Sequence, residues 1–416
     1  MACASVEPSS LQYVRFLLAH PAINVNLQDA ESNWTALHRA LYAGNLAAAI
    51  LLLKRSDVDT SLKDLEGYTA FDLYNTTLRT TKPDATDEGP AELFTWGANR
   101  NAALGLGDSD NRTFPDQVII PRKHDPNLHD KTLEVRFSPI QVRQISMSRL
   151  HTVVVTSESQ DNLRLCGFGS GGRLGPSQHT QYGLMTLPEF SHNVVSVALG
   201  QDHTLALTKS WEVLSWGLNR FSQLGYVVDQ SPMSVGRREE PIQASPRKIG
   251  HLKKETVRGI AACKTASACW TETEVFTWGT NSGQLGYSKN ATPVQVLPRK
   301  VTVVVQPVTA IAMTDNAMAC LLKSGDVAFL WNDIVLKINF PTQSFSSEIH
   351  VYRPPQAIKG PKVAKITSCE DTFAALSSNG EVFIFTPPGS SDDGLHGKGA
   401  ATVIPQRVWA LRKQFS

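Results

Sequence analysis

The sequence has little that would betray a compartment or a partner. Its 416 residues carry a net charge of only +2, which excludes the broad basic footprint of a nucleic-acid binder. Long hydrophobic runs are missing: the longest, such as Leu46 to Leu53, fall well short of a bilayer span. Residues Met1 to Ser10 have neither the basic flank nor the apolar centre of a secretory signal. The six cysteines (Cys3, Cys166, Cys263, Cys269, Cys320 and Cys369) form no CxxC pair and no zinc-type spacing. Most lie in apolar, strand-like runs, so they are expected to be buried free thiols in a reducing compartment, the cytoplasm with the nucleus as a further location. The Gly169-Ser170-Gly171-Gly172 stretch lacks the GK[ST] ending of a phosphate loop. No catalytic residue, cofactor site or metal site is expected, and the chain is read as a non-enzyme.

What is present is repetition. Glu274-Val275-Phe276-Thr277-Trp278-Gly279 recurs as Glu92-Leu93-Phe94-Thr95-Trp96-Gly97 and as Glu212-Val213-Leu214-Ser215-Trp216-Gly217. Each copy is followed by a Leu-Gly pair: Leu104-Gly105, Leu224-Gly225 and Leu285-Gly286. Copies at a fixed spacing point to stacked units that bury their apolar faces on one another. Such units present surfaces and seldom do chemistry.

The first part of the chain repeats with a different period. Asn33-Trp34-Thr35-Ala36-Leu37-His38 and Gly67-Tyr68-Thr69-Ala70-Phe71-Asp72 open two similar helical units, with Thr35 and Thr69 34 residues apart. The threonine caps a helix and can bond the histidine three residues on. Gly67 suits a turn with positive φ, and Asn33 is the best substitute there. His38 is read as a turn-bonding histidine. This segment resembles the ankyrin repeat, a turn followed by two antiparallel helices. Residues 9–75 are expected to hold one full repeat between two partial ones, and 76–90 to be a polar linker.

From Ala91 to Ser416 the reading is strands and turns. Aligning the aromatic strand gives Trp96, Phe168, Trp216, Trp278, a position at Leu330 or Trp331, and Phe385. A second signature runs Arg149-Leu150-His151-Thr152-Val153, Gln201-Asp202-His203-Thr204-Leu205, and then more weakly from Lys264, Asp315 and Glu370. Its small residues suit strands near a propeller axis. His151 and His203 have no acidic or nucleophilic partner at a consistent place, so structural hydrogen bonding is expected of them. The tryptophans are expected at equivalent places between blades, not in an aromatic cage. The basic clusters Arg122-Lys123-His124 and Arg237-Arg238 are short and read as solvated.

Residues Trp216 to Gly225, Gly200 to Leu207 and Trp278 to Gly286 resemble the repeat of the regulator of chromosome condensation family. The expected fold is therefore a short ankyrin α-solenoid followed by an all-β propeller of that type, over 91–416, with five units and the start of a sixth. The sixth begins at Glu381-Val382-Phe383, so the chain is expected to be part of a longer protein or to show an open ring. Ankyrin units directly before such a propeller resemble the inhibitor of Bruton tyrosine kinase family. That resemblance implies paired BTB domains downstream, absent from this sequence, and a substrate receptor of a cullin-3 ubiquitin ligase. Protein partners are implied, of kinase or ligase-substrate class, with cullin-3 reached only through the missing domains. Neither a membrane nor a nucleic acid is expected as a partner. Candidate contact loops are Asp108 to Pro139, Tyr226 to Pro246 and Phe340 to Pro361, presented by a rigid scaffold. The alternative is guanine-nucleotide exchange on a Ran-like GTPase, as in the founding family member, although no exchange residue of that family maps onto this chain.

Overall fold

A computed structural model describes residues 2–5, 8–77, 91–120, 140–158, 160–176, 179–229, 240–341, 361–378, 380–388 and 402–408. Both basic clusters, most of the expected linker and the centres of the three candidate loops lie outside the described residues. Contacts separate a helical unit, within Met1–Asp87, from a β unit that begins at Glu88.

The helical unit contains α1 (Pro8–Leu18), α2 (Ala36–Tyr42), α3 (Leu46–Leu53) and α4 (Ala70–Thr77). α2 packs beside α4 and α3, and α3 packs beside α1. Ala40, Ala48, Ala49 and Ala70 are almost fully buried, and their small side chains let the helices approach closely around Leu37, Leu41 and Leu52. Thr35 caps α2 in a capping box with His38. The Thr35 amide donates to His38 Nδ1 at 3.2 Å, so Nε2 carries the proton and donates to the Tyr68 carbonyl at 3.2 Å. One histidine thus closes its own helix and ties it to the next repeat. In that next repeat Asp72 supplies only the local cap, its Oδ2 accepting from the Thr69 amide and hydroxyl at 2.9 and 2.8 Å. Asn33 (φ 55) and Gly67 (φ 84) both occupy the left-handed turn position.

Among the described residues the β unit holds one two-stranded sheet and five four-stranded antiparallel sheets, here called blades 1 to 6. Blade 1 is β1 (Phe94–Gly97) and β2 (Arg112–Gln117). Blade 2 is β3 (Val142–Met147), β4 (His151–Thr156), β5 (Leu163–Gly167) and β6 (Gln181–Thr186). Blade 3 is β7 (Val194–Leu199), β8 (His203–Thr208), β9 (Val213–Leu218) and β10 (Ile242–Lys248). Blade 4 is β11 (Gly259–Ala262), β12 (Ala266–Trp270), β13 (Val275–Thr280) and β14 (Val294–Val301). Blade 5 is β15 (Val308–Met313), β16 (Ala317–Leu322), β17 (Val327–Trp331) and β18 (Ile334–Ile338). Blade 6 is β19 (Val363–Cys369), β20 (Thr372–Ser377), β21 (Val382–Phe385) and β22 (Gln406–Arg407).

The first strands of successive four-stranded blades, β3, β7, β11, β15 and β19, are neighbours in that order. They are therefore the inner strands, and the histidine-bearing strand expected near the axis is second from it. The sequence repeat is also shifted against the blade: the tryptophan strands β9 and β13 are each the third strand of their sheet. Two further expectations need correction. Register pairs Gly167 with His151 just as Gly217 pairs with His203, so Cys166, not Phe168, stands where Trp216 stands in blade 3. Phe168 lies beyond the strand and is exposed. Trp216 and Trp278 are fully buried, but Trp96 is 60% exposed, because no described blade lies against its side of β1.

Candidate functional site: a rim held by inter-blade staples

The frame for any binding surface here is the joint between neighbouring blades. Within each of blades 1, 3 and 4 the Leu-Gly turn is folded back by its own sheet. The hydroxyl before each tryptophan donates to the leucine carbonyl: Thr95 to Leu104, Ser215 to Leu224 and Thr277 to Leu285, at 2.7 to 2.9 Å. The asparagine after each Trp-Gly accepts from the turn backbone: Asn99 and Asn219 from the leucine amides at 3.0 Å, and Asn281 from the Gly283 amide at 2.9 Å. The turn so shaped then meets the following blade. The Arg173 carbonyl accepts from Trp216 Nε1 at 3.0 Å, and the Gln223 carbonyl from Trp278 Nε1 at 2.8 Å. Between blades 1 and 2 the Ala103 carbonyl accepts from Thr152 Oγ1 at 2.7 Å, with Cys166 Sγ at 3.6 Å.

The glycine of the turn is needed for that approach. Gly225 has φ +81, and a Cβ there would lie 3.1 Å from Trp278 Nε1; at Gly105 (φ +73) it would lie 3.2 Å from Cys166 Sγ. Gly286 faces Leu330 in the same way. The fifth copy has no such turn. A tight hairpin through Asn332 and Asp333, both at positive φ, joins β17 to β18. Blades 5 and 6 are instead sealed by aromatic contacts of Phe329 with Phe373 and Phe385, at ring distances of 5.2 and 5.8 Å.

His151 and His203 are completely buried, the first in the joint between blades 2 and 3 and the second in that between blades 3 and 4. His151 Nε2 meets Thr204 Oγ1 at 3.0 Å and His203 Nε2 meets Ser267 Oγ at 2.8 Å, each time one blade onward. Burial pushes His203 down to about 4 and His151 down to about 3, with the charge of Arg173 adding to the effect on His151. Arg173 forms a buried ion pair with Asp202 across the joint between blades 2 and 3. These groups hold neighbouring blades together.

Antiparallel strands place the turns after the first and third strands of every blade on one rim. Exposed Arg100, Arg149 and Lys264 stand on it in blades 1, 2 and 4, and exposed Glu370 and Asp371 in blade 6. Exposed Asp110, Asp229 and Glu240 stand on the same rim in blades 1 and 3, so the described rim carries charges of both signs. Two candidate loops contribute ordered strand as well as loop: β2 lies inside Asp108 to Pro139, and β10 begins inside Tyr226 to Pro246. Among the described residues no group of three His, Cys, Asp or Glu side chains could hold a metal ion, and no helix is long and apolar enough to cross a membrane.

The repeat positions singled out in the sequence sort by role. Thr35, His38 and Thr69 cap helices. Trp216, Trp278, His151 and His203 cross a joint. Gly97 is the last residue of β1, Gly217 and Gly279 are the last but one of β9 and β13, all at φ between 107 and 113, and Leu104, Gly105, Leu224, Gly225, Leu285 and Gly286 form the turns. The sequence motifs point to Phe385 but not to Cys166, Gln144 or Phe329, which also serve the joints. Gln144 clamps Val197 of the next inner strand through two hydrogen bonds of 3.0 Å. The Gly167 that follows Cys166, with φ 122, is the signal that would have aligned blade 2 correctly.

Fold and joints define the class: an ankyrin-repeat segment followed in sequence by a propeller of regulator of chromosome condensation type. The ankyrin-repeat family matches residues 1–53, and the regulator of chromosome condensation (RCC1) repeat matches residues 91–155 and 194–223. BTB/POZ domain-containing protein 1 of Schizosaccharomyces pombe is 34% identical over 385 residues, 92% of this chain and 28% of that protein. Inhibitor of Bruton tyrosine kinase of Xenopus laevis is 30% identical over 395 residues, 90% of this chain and 27% of that protein. Homologues of this chain are thus Inhibitor of Bruton tyrosine kinase and BTB/POZ domain-containing protein 1, and the chain spans little more than a quarter of their length. The secretion-regulating guanine nucleotide exchange factor of Bos taurus is 28% identical over 346 residues, 80% of this chain and 67% of that protein. The crystal structure of human WBSCR16 shares the fold, with a TM-score of 0.56 at 22% identity over 76% of each chain.

Proposed function

We propose that this chain is the partner-binding region of a BTB-type receptor for a cullin-3 ubiquitin ligase, and that its propeller rim receives the partner. The observation that carries the reading is the reach of one alignment: 92% of the chain, ankyrin and propeller segments together, matches a protein named for its BTB/POZ domain. Stapled blades suit such a role, since a stiff frame lets exposed turns act as one surface. The partner is a protein, of kinase or ligase-substrate class. The test is affinity capture with the chain alone and with the chain joined to the BTB region of such a relative. Proteins held by the chain should be ubiquitylated only when the BTB region and cullin-3 are both present. Binding that survives reversal of Arg100, Arg149 and Lys264 to glutamate would remove the rim from the reading.

The relative named as an exchange factor supports a second reading, nucleotide exchange on a Ran-like GTPase. Release of labelled nucleotide from purified Ran separates the two. Acceleration by the chain favours exchange, and an unchanged rate leaves the scaffold.

A further inference from the structure

The outer strand of a blade has one free edge, and most outer strands here are blunted against pairing. β2, β10 and β14 each carry a proline (Pro115, Pro246 and Pro298), β6 carries Gly183, and β22 is two residues long, directly after Pro405. The register of β2, β6, β10 and β14 against the strand inside them is also broken by a shift. Proline, bulges and short length keep an exposed edge from recruiting another strand. β18 has none of these. Ile334-Val335-Leu336-Lys337-Ile338 contains neither proline nor glycine, and its pairing with β17 runs from Trp331↔Ile334 to Val327↔Ile338 without a shift. The cause is the fifth copy's departure from the Leu-Gly pattern: the two-residue hairpin through Asn332 and Asp333 sends β18 straight back along β17.

That hairpin also fixes which backbone groups face outward. Trp331 and Ile334 flank two residues and so exchange both hydrogen bonds. The alternation of an antiparallel ladder then turns the N–H and C=O of Leu336 and Ile338 to β17, and those of Val335 and Lys337 to the free edge. Among the described residues no strand pairs with that edge. The strand itself is firmly seated: Ile338 is buried, and Leu336 packs on the core that holds Phe329 and Phe373. Ile334, Val335 and Lys337 are exposed. Charge selects among the strands that fit. Lys337 and Lys362 share one carboxylate, that of Asp326, at 3.7 and 3.4 Å, so these three groups carry a surplus positive charge. A second copy of β18 laid antiparallel over its whole length would bring the two Lys337 side chains together as diagonal neighbours on one face. We propose that the free edge of β18 is a docking site for an extended segment of a protein partner. That segment carries apolar residues opposite Ile334, Leu336 and Ile338 and a carboxylate opposite Lys337. It adds to blade 5 as a fifth strand through the backbone of Val335 and Lys337. The edge is separate from the charged turns of the rim, and the inference stands whether or not the rim binds.

The test uses the whole chain and a labelled, end-blocked probe peptide, Thr-Val-Glu-Val-Thr-Val-Thr, followed by fluorescence anisotropy and hydrogen exchange. Binding should slow exchange of the Val335 and Lys337 amides at least about tenfold. Val335→Pro removes an outward N–H without touching the ladder to β17, and should weaken binding at least about tenfold while the thermal midpoint stays in place. A probe methylated on the backbone nitrogens of its glutamate and central threonine loses the donors that face β18. It should not bind, whether or not any variant folds. Lys337→Glu should weaken binding of the probe, and a probe with lysine in place of glutamate should recover it. Failure of the probe to bind overturns the proposal. So does equal binding by the methylated probe, binding indifferent to Val335→Pro or Lys337→Glu, or protection of the Val335 and Lys337 amides in the free monomer. Protection that rises with chain concentration in the absence of probe assigns the edge to a second copy and overturns it as well.

Discussion

The indole Nε1 of Trp278 lies 2.8 Å from the carbonyl oxygen of Gln223, so a side chain of blade 4 caps the backbone of blade 3. Ser267 Oγ reaches the same oxygen, also at 2.8 Å. The contact joins the two most repetitive features of the sequence, the Trp-Gly strand and the Leu-Gly turn, and shows that each is the other's binding partner.

Trp278 is completely buried. Its replacement by alanine removes that burial and leaves a cavity beside Gly225, a loss of about 3–5 kcal/mol. Trp96 carries the same motif but is exposed, so Trp96→Ala in this chain should change stability by no more than about 0.5 kcal/mol. Urea unfolding of both variants checks the contrast. Equal losses would mean that the motif stabilises its own blade and not the joint.

Asn219 tests the turn itself. Its Oδ1 accepts from the Leu224 amide at 3.0 Å and its Nδ2 donates to the Tyr226 carbonyl at 3.2 Å. Asn219→Ala leaves both buried backbone groups without this partner, at a cost of about 1–3 kcal/mol. Asn219→Asp keeps the acceptor and should fall between. A midpoint for Asn219→Ala equal to that of the parent protein in urea would show that the turn is shaped by its glycine alone.

The repeat was legible where the backbone demands a residue type. A Cβ on Gly217 would lie 2.5 Å from the Asp202 carbonyl oxygen, and one on Gly279 equally close to that of Thr265, so the Trp-Gly pair survives as a visible mark. The inner strands carry no such demand. Val194–Leu199 is an ordinary apolar strand, and nothing in it announces a place at the axis. Cys166 was hidden because it fills the tryptophan position with a much smaller side chain. The exposure of Trp96 was hidden for a different reason: burial depends on the neighbouring blade, which the residue's own motif does not encode. The ankyrin caps were readable because Thr35 and His38 act within one turn of helix.

The thiols give a chemical check on the blade assignments. Cys166, Cys263 and Cys320 are buried, and burial pushes each up to about 12. Burial raises Cys269 as well. The thiolate is the reactive form, so these four should resist iodoacetamide in the native protein at pH 8. Cys369 is exposed at the end of β19 and should be alkylated first, with the half-buried Cys3 behind it. Peptide mass spectrometry after timed labelling reads the order. Early modification of Cys269 would contradict the packing of blades 3 and 4.

The buried histidines predict how stability falls with acid. Ser267 Oγ donates to the Gln223 carbonyl, so His203 must donate to Ser267 through Nε2–H, leaving Nδ1 unprotonated. Charging that ring in the joint is opposed by burial, with only partial relief from the Asp202 carboxylate, itself paired with Arg173. The folded value, about 4, lies below the ordinary 6.5, and His151, at about 3, behaves likewise under Arg173. Above pH 6.5 both states hold these rings neutral and the contribution to stability is fully present. Below it the unfolded chain binds protons that the folded chain refuses, and stability declines until the folded values are reached. Each histidine should cost about 1.4 kcal/mol per pH unit across that window. His203→Asn removes one of the two sites and should shallow the decline in urea midpoint between pH 6.5 and 5. A decline as steep as the parent's would place the acid sensitivity outside the joint between blades 3 and 4.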